Sequence, residues 1–399
     1  MALLTASFFL AGAYAAIMLL YLRGWRALPE WRMPKDFEPR TFVSVVIAAR
    51  NEAANIETCL RSVVQGTYPP DLLEIIVADD FSEDDTAEKV RQMQKARHKP
   101  VIRLIRLSEL SPAASGKKKA LAAGIAQARG ALIVTTDADC VAPEDWLRQV
   151  VSRFQPTPAG RGNVGPPHPA GVGLLAAPVA FHRETTLFRR FQSLDFLGLM
   201  GITGAGIHCG FQRMGNGANL AFPKSVFEEV GGYDGSEHLA SGDDMFLIAK
   251  INRRYPGSVF FLKNAAATVL TEAKPDLRSF VGQRLRWGTK NAALPEWPVR
   301  LVLLTVFLFC WSILINSVLA VAACISPGDM SPLATLSGQL TVKAVFDYLF
   351  LREMCRFFDR KDLLRWFVPS FFLHTLYLPL AGAAGLFGKT YEWKGRRVR

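Results

Sequence analysis

Four apolar stretches of membrane-spanning length frame a long middle region in which apolar and polar runs alternate. Residues 1–22 and 301–325 contain no Asp, Glu, Lys or Arg. A helix of about 20 apolar residues crosses a bilayer, so both stretches predict membrane-spanning helices. Residues 332–351 and 366–388 are further candidates, although the third stretch carries two charges and the fourth contains two prolines.

The charges around these stretches predict the side of the membrane that each segment occupies. Basic residues follow the first stretch, precede the second, fill residues 352–365 and crowd the C-terminal tail, whereas the link 326–331 has none. Positive charge marks the cytoplasmic side, so we expect the middle region to be cytoplasmic and the link external. Three C-terminal crossings would leave the basic tail outside, and we therefore expect the last stretch to be a re-entrant hairpin bent near Pro379. Lys343 and Asp347 have the spacing at which helix side chains meet, so we expect them to pair.

The middle region, residues 41–295, alternates short β-branched runs with segments of helical periodicity. Buried parallel strands read as continuous apolar runs, and the alternation predicts an α/β fold with a mostly parallel sheet. Residues 155–173 are rich in Gly and Pro and predict a loop or an insertion. The predicted strands span 42–49, 73–78, 101–107 and 131–136, with helices over 51–64, from about 82–84, and over 117–128.

Composition and charge narrow the class of protein. Half of the 399 residues are apolar and 21% are charged, which excludes a disordered chain. Six scattered cysteines without a C-x-x-C pair argue against a disulfide scaffold and against a zinc site. The net charge of +12 comes from basic residues beside the apolar stretches, so it indicates membrane anchoring rather than nucleic-acid binding.

Acidic residues follow two of the predicted strands. Asp79-Asp80 ends the second strand, and Asp137-Ala138-Asp139 ends the fourth. Ligands of parallel α/β sheets bind beyond the carboxyl ends of the strands, where both groups fall. The two carboxylates of the D-x-D sequence can converge on Mg²⁺ or Mn²⁺ together with substrate phosphates, and Asp79-Asp80 can accept hydrogen bonds from a base or a ribose. The alternatives are a solvated turn and a helix N-cap.

Three more polar segments carry candidate chemistry. Residues 48–52 end the first strand in the same way as Asp79-Asp80 ends the second. The alternative for this segment is a helix-capping role. Gly116–Lys119 opens a helix with positive charge, which the helix dipole disfavours unless an anion such as a diphosphate binds; the alternative is a solvated basic face. Gly242-Asp243-Asp244 precedes an apolar helix and offers either an acidic N-cap or a general base.

A last motif, Gln283-x-x-Arg286-Trp287, stands on a basic and aromatic stretch before the second uncharged run. One interpretation is an interfacial anchor, with Trp287 at the depth of the lipid headgroups. The other gives Arg286 a phosphate to bind and makes Trp287 an apolar wall for a sugar.

Taken in this order, the motifs resemble those of the membrane-bound inverting glycosyltransferases of family 2, which include ceramide glucosyltransferases and polysaccharide synthase catalytic subunits. The match covers residues 41–290. It implies a GT-A, Rossmann-like nucleotide-sugar domain over residues 40–295, preceded by a transmembrane helix at 1–25. About three membrane segments over 300–390 and a basic tail at 391–399 would follow.

The resemblance also implies roles for single residues. Asp244 matches the catalytic base, and Asp243 replaces the commoner Glu beside it. Asp139, and less directly Asp137, would hold Mg²⁺ or Mn²⁺ on the diphosphate. The nucleotide, the diphosphate and the acceptor end would be bound by Ala48, Arg50, Glu52, Asp79, Asp80, Lys117, Asp137, Gln283, Arg286 and Trp287.

The implied reaction moves a sugar from a nucleotide-diphosphate donor, a UDP-sugar by family habit, to a hydroxyl of a lipid or glycan acceptor at the membrane. The implied location is an integral membrane protein of the bacterial inner-membrane type with a cytoplasmic catalytic domain and no nucleic-acid partner. The sugar, the acceptor and the oligomeric state are not indicated by the sequence. The alternatives are a processive polysaccharide synthase and a non-catalytic membrane scaffold that binds nucleotide sugars, whereas a nucleotidyltransferase is disfavoured because no Gly-rich pyrophosphorylase loop is present.

Overall fold

The computed structural model forms two compact units, each built from separated segments of the chain. The helical unit comprises Met1–Leu28, Arg183–Gln212 and Ala273–Tyr391, and the sheet unit comprises Pro29–His182, Arg213–Glu272 and Glu392–Arg399. The structure describes residues 2–96, 99–110, 116–155, 171–235, 242–292, 297–325, 329–387, 391–393 and 396–398. Most of the loop predicted at 155–173, half of the external link 326–331 and residues 394, 395 and 399 of the basic tail lie outside these described residues.

The described residues form thirteen α-helices and eleven strands. The helices are α1 Ala2–Ala27, α2 Ile56–Val64, α3 Thr86–Ala96, α4 Leu107–Leu110, α5 Lys117–Gln127, α6 Trp146–Ser152, α7 Leu187–Cys209, α8 Lys224–Glu229, α9 Asp243–Arg254, α10 Leu277–Ala292, α11 Trp297–Ile325, α12 Ser331–Phe357 and α13 Phe367–Phe387. The strands are β1 Val43–Ala49, β2 Leu73–Asp79, β3 Val101–Arg106, β4 Leu132–Asp137, β5 Leu174–Ala176, β6 Val179–His182, β7 Leu220–Pro223, β8 Val259–Phe261, β9 Val269–Glu272, β10 Tyr391–Trp393 and β11 Arg396–Val398.

The sheet unit is built on a seven-stranded sheet in the order β3-β2-β1-β4-β7-β5-β8. The first four strands run parallel, whereas β7 runs antiparallel to both of its neighbours, β4 and β5. The shorter strands β6 and β9 pair in parallel in a second sheet. The predicted α/β class is confirmed, and the four predicted strands agree with β1–β4 to within one residue at each end.

Register brings the carboxyl ends of three strands to one level. Ala49 of β1 lies opposite Asp79 of β2, and Ala48 lies opposite Asp137 of β4. All residues of β2, and all but one of β1, are buried, as expected of parallel strands covered on both faces. The acidic residues that follow these strands therefore meet at one edge of the sheet.

The opposite end of the same strands is joined by a buried carboxylate. Glu74 of β2 accepts hydrogen bonds from the Ser44 hydroxyl at 2.6 Å and from the Arg129 backbone N–H at 2.6 Å. Burial alone would raise the pKa of Glu74, but these hydrogen bonds and the Arg129 guanidinium outweigh it and hold the pKa below its ordinary value. Glu74 thus ties β1 and β2 to the turn that leads into β4.

Two helices begin later than the sequence predicts. Helix α2 begins at Ile56 rather than near residue 51, and α3 begins at Thr86. The difference has a local cause, because Asn51 has a positive φ of 50° and its side chain accepts a hydrogen bond from the Glu83 N–H. Residues 51–55 therefore form a turn that is bonded to the loop after β2.

The helical unit contains two helices, among the described residues, that are long and apolar enough to cross a membrane, Leu3–Ala27 and Trp297–Ile325. The expected ion pair between Lys343 and Asp347 is present on α12. The re-entrant hairpin expected near Pro379 is wrong, because α13 continues through this residue as one helix. A proline removes only one backbone hydrogen bond, and packing against neighbouring helices can support the helix around it.

Candidate active site

The loop after β2 is held rigidly at the carboxyl edge of the sheet. The Asp80 N–H donates to the Ala49 carbonyl at 2.8 Å, and Asp80 Oδ1 accepts from the Gly116 N–H at 2.9 Å. Arg50 is buried and donates to the carbonyls of Asp80 at 2.7 Å and Phe81 at 3.0 Å. Asp80 is not a helix cap, because α3 begins only at Thr86. Its hydrogen bond from Gly116 instead connects this loop to the start of α5.

Asp79 is fully buried at the end of β2. Neither of its carboxylate oxygens has a hydrogen-bond partner among the described residues, and the Arg106 Nε lies 3.7 Å from Asp79 Oδ2. Glu52 lies in the turn before α2, where its N–H donates to Thr86 Oγ1 at 2.8 Å and its carboxylate accepts from Asn55. Ala48, in β1, completes this corner of the sheet edge.

Lys117 joins two acidic motifs that are far apart in the sequence. Its Nζ lies 2.6 Å from Asp137 Oδ1 at the end of β4 and 3.6 Å from Asp243 Oδ2 at the start of α9. Burial alone would lower the pKa of the ammonium, but these two carboxylates outweigh it and raise the pKa of Lys117 above its ordinary value. Lys117 is therefore a permanent cation between two carboxylates.

The second acidic motif is fixed by a glycine turn. Gly242 precedes α9 with a φ of 93°, and Asp244 Oδ2 accepts from the Gly217 N–H at 3.3 Å. A Cβ at Gly217 would stand 2.8 Å from Asp243 Oδ2, so only glycine allows this approach. Thr135 of β4 donates to the Gly217 carbonyl at 2.9 Å and so fixes the turn from the other side.

From the sequence, residues 216–219 received no role, and the contact of this turn with the acidic motif was therefore missed. Asn219 is buried, and its side chain donates to the carbonyls of Pro178 and Ala267 and accepts from Trp146 Nε1. Two asparagines in an apolar setting between a helix and a strand were the available signal. Tyr233 is buried near the second acidic motif, and burial, followed by the charge of Asp243, raises the pKa of its hydroxyl.

The carboxylates at the end of β4 suit a hard divalent cation. Asp137 and Asp139 offer only oxygen ligands, and the Asp137 side chain is 34% exposed. No cluster of three or more His, Cys, Asp or Glu ligands exists within the described part of the chain. A cation here would therefore complete its coordination with phosphate oxygens and water, as Mg²⁺ commonly does.

The Gln283-x-x-Arg286-Trp287 motif lies on α10 and belongs to the helical unit, whereas the other predicted site residues belong to the sheet unit. Gln283 Oε1 is buried and has no hydrogen-bond partner among the residues whose side chains are described. Arg286 and Trp287 are half-buried. The ring centroid of Trp287 lies 6.0 Å from the ring centroid of Phe196 on α7.

Two relatives with known names match much of the chain. Glycosyltransferase AglE of Haloferax volcanii is 31% identical over 206 residues, which are 51% of this chain and 59% of that protein. Probable glycosyltransferase YdaM of Bacillus subtilis is 28% identical over 275 residues, which are 68% of this chain and 60% of that protein. The matches therefore span less than two thirds of the length of either relative.

The fold also has a solved counterpart. The mannosyltransferase PcManGT of Pyrobaculum calidifontis, determined with GDP-Man and Mn²⁺, superimposes with a TM-score of 0.61 at 21% identity, over 94% of this chain and 99% of that one. This likeness confirms the GT-A fold that the motifs predicted.

Two family models match the chain. The model of glycosyl transferase family 2 matches residues 44–164. The model of glycosyl transferase family group 2 matches residues 132–380, which is more than half of the chain. Together they cover both acidic motifs and the Gln283-x-x-Arg286-Trp287 motif, and the chain is therefore a member of glycosyl transferase family 2.

Proposed function

We propose that the chain is an inverting glycosyltransferase that moves a sugar from a nucleotide-diphosphate donor to a hydroxyl of a membrane lipid or a glycan. The observation that carries the proposal is the meeting of Asp137, Asp243 and Asp244 around Lys117 and Gly217. These residues come from four separate parts of the chain, namely α5, β4, the turn at Gly217 and the start of α9. Their meeting at the carboxyl edge of the sheet is what a donor diphosphate and an attacking hydroxyl require.

Asp244 is the proposed general base. Its Oδ2 accepts from the Gly217 N–H, and its Oδ1 accepts from the Met245 N–H at 2.8 Å, so the carboxylate is held in one orientation. In the reaction it takes the proton of the acceptor hydroxyl, whose oxygen attacks the anomeric carbon as the bond to the diphosphate breaks. One displacement inverts the anomeric centre and needs no covalent enzyme intermediate.

Lys117 and the D-x-D carboxylates serve the leaving group. The Lys117 ammonium stays charged and can donate to a diphosphate oxygen when the donor displaces it from Asp137. Asp139 and Asp137 are the residues that would hold Mg²⁺ or Mn²⁺. When bound, the cation would supply positive charge against the negative charge that develops on the diphosphate.

The nucleoside is assigned to the corner formed by Ala48, Arg50, Glu52, Asp79 and Asp80. Arg50 and Asp80 shape this corner through their backbone partners. The two oxygens of Asp79 have no hydrogen-bond donor there among the described residues, although they are acceptors suited to the N–H groups of a base.

A lipid acceptor is supported by two observations. Two helices in the described part of the chain are apolar and long enough to cross a membrane. The Synechocystis β-monoglucosyldiacylglycerol synthase, named for a glycolipid product, is 32% identical over 144 residues, or 35% of this chain and 29% of that protein. We therefore propose that the protein lies in the membrane, with the sheet unit on the cytoplasmic side where the donors are found. Gln283, Arg286 and Trp287 are assigned to the diphosphate and the acceptor end.

The test uses detergent-purified protein, Mn²⁺ or Mg²⁺, a panel of UDP-, GDP- and dTDP-sugars, and crude membrane lipid as acceptor. We expect release of nucleoside diphosphate from one donor, and loss of that release on chelation of the metal and in Asp139→Asn. Donor binding by calorimetry is measured in parallel. Absence of both turnover and donor binding across the panel would contradict the proposal.

Product analysis separates the proposal from its two alternatives. A single-step transferase yields one glycolipid of defined mass. A processive synthase, such as the poly-β-1,6-N-acetyl-D-glucosamine synthase of Staphylococcus epidermidis that is 25% identical over 193 residues, would yield a ladder of longer products. A scaffold would bind the donor and release no nucleotide.

A further inference from the structure

The helical unit contains a largely buried network of charged side chains, the charge network, whose members are not among the defining residues of the family's motifs, although Arg284 stands between Gln283 and Arg286. Lys343, fully buried on α12, pairs with Asp347 and lies 3.2 Å from His374 Nδ1. His374 Nε2 lies 3.7 Å from Asp195 Oδ1 on α7, and Asp195 forms an ion pair with Arg284 on α10. Charges are costly to bury unless they are paired, and here they alternate in sign across four helices.

The charge network ends at Trp287 of the Gln283-x-x-Arg286-Trp287 motif. Asp195 and Arg284 each have a side chain only 5% exposed. The Cζ atom of Arg284 lies over the Trp287 ring, 4.3 Å from the ring centroid, and over the Phe280 ring at 4.8 Å. Phe196, the neighbour of Asp195 on α7, lies 6.0 Å from the same Trp287 ring. Two consecutive residues of α7 therefore hold Arg284 and Trp287 of α10.

The charge balance of the charge network decides whether it binds an anionic ligand or positions side chains. Two cations, Lys343 and Arg284, face two anions, Asp347 and Asp195, so these four side chains have no excess positive charge for an anionic ligand. With Lys343 donating to Nδ1, His374 is neutral and presents its Nε2–H toward Asp195. A balanced network suits the positioning of helices and side chains better than the binding of a phosphate.

We propose that Asp195 and Arg284 are positioning residues for Trp287, acting through the stacked guanidinium, and that His374 and Lys343 hold Asp195 in place. The inference rests on the proposed role of Trp287 at the acceptor end. Arginine is required, because its planar guanidinium can pair with a carboxylate and stack on an indole ring at once, which an ammonium cannot do.

The test is a double-mutant cycle with Arg284→Lys and Trp287→Ala. Arg284→Lys keeps a cation beside Asp195 but removes the flat stacking surface, so we expect an unchanged donor dissociation constant and a kcat reduced about 10-fold or more, the scale of a misplaced reacting group. If Arg284 acts through Trp287, the double variant is no slower than Trp287→Ala alone. Losses that multiply would overturn the inference.

A matched control and a spectroscopic readout complete the design. Arg360 pairs with both oxygens of Glu184 at 3.0 Å in the same unit, and Arg360→Lys breaks this pair. We expect Arg360→Lys to retain kcat. A loss of kcat equal to that of Arg284→Lys would show that Arg284 has only a general structural role. In protein labelled with 5-fluorotryptophan, the resonance missing in Trp287→Phe identifies Trp287. It should shift in Arg284→Lys and not in Arg360→Lys, whereas an unmoved resonance would contradict the positioning role.

Failure of the inference and failure of the proposed function give different results. An inactive wild-type protein that binds no donor would contradict the proposed function, while the fluorine shift would still report on the contact between Arg284 and Trp287. Should Arg284→Lys fail to fold, Asp195→Asn replaces it, since it keeps the shape of the carboxylate and removes its charge. The same lack of additivity with Trp287→Ala is then expected.

Discussion

Lys117 and Asp137, twenty residues apart in the sequence, form an ion pair with 2.6 Å between Nζ and Oδ1. The pair joins the first residue of α5 to the last residue of β4. The same ammonium lies 3.6 Å from Asp243, so one lysine connects the two acidic motifs of the site.

Replacing Lys117 by methionine should damage both stability and turnover. The variant leaves Asp243, buried at the start of α9, without its cation, so we expect the free energy of unfolding to fall by about 1–3 kcal/mol. It also removes a charge from the diphosphate site, and kcat/KM should fall about 100-fold. Thermal unfolding and nucleotide release measure the two effects. The neighbouring Lys119→Met, an exposed position, is the matched control, and an equal loss there would remove the assignment.

Asp244→Asn should separate binding from chemistry. The amide keeps the shape of the side chain and can still accept the hydrogen bond from the Gly217 N–H, although its NH₂ group loses the one from the Met245 N–H. Neither hydrogen bond involves the donor, so the donor should bind as in the wild type. The lost base should reduce transfer about 10²-fold or more. Calorimetry gives the dissociation constant and single-turnover kinetics gives the rate. Turnover within a few-fold of the wild type would show that the base lies elsewhere.

Gly217→Ala should impair the site and leave the fold intact. The new Cβ would meet Asp243 Oδ2 at 2.8 Å and Lys117 Nζ at 3.4 Å, both of them ends of side chains that can move. We therefore expect an apparent Tm within a few degrees of the wild type and a clear loss of kcat. Gly12→Ala, where a Cβ meets nothing within 4 Å, is the control. A fully active Gly217→Ala would show that the position of Asp243 is unimportant.

Glu74 should make the sheet unit sensitive to acid. Its pKa is lower in the folded than in the unfolded protein, so its stabilising contribution is complete above its ordinary pKa and disappears as pH falls through the lowered one. The apparent Tm of the wild type should therefore decline toward low pH more steeply than that of Glu74→Gln. Melting curves from pH 7 to acid give both slopes.

The control for Glu74 is a carboxylate whose pKa is also lowered but which is exposed. Glu57 forms a hydrogen bond and an ion pair with Arg61 on the surface of α2, and these interactions hold its pKa below the ordinary value. Water and salt screen such a pair, so Glu57→Gln should leave the acid slope almost unchanged. Equal slopes for Glu74→Gln and the wild type would contradict the role given to Glu74.

The central strands could be predicted from the sequence, because a parallel strand buried on both faces is written as an unbroken apolar run. Asp79, Asp80 and Asp137 could likewise be placed at one edge, since the carboxyl ends of parallel strands share an edge. The meeting of Asp137 with Asp243 had no such local signal and followed only from the family resemblance.

What the sequence could not show depended on tertiary contacts. Asn51 has a positive φ and accepts a hydrogen bond from the Glu83 N–H, so helical periodicity alone placed the start of α2 too early. The prolines of α13 suggested a bend, yet the helix continues through Pro379. The role of Gly217 could not be predicted, because glycine is common in turns. Only the structure shows that the Asp243 carboxylate lies against it.

The antiparallel strand β7 has a consequence for synthesis of the protein. The edge of β4 is covered by β7, but between them the chain must first make β5, β6 and the 23-residue helix α7, which belongs to the other unit. A ribosome that stalls in this interval would leave the β4 edge unpaired, and such edges recruit other chains. Fragments ending near residue 182 should therefore aggregate, and only fragments reaching past β8 should yield a soluble sheet unit.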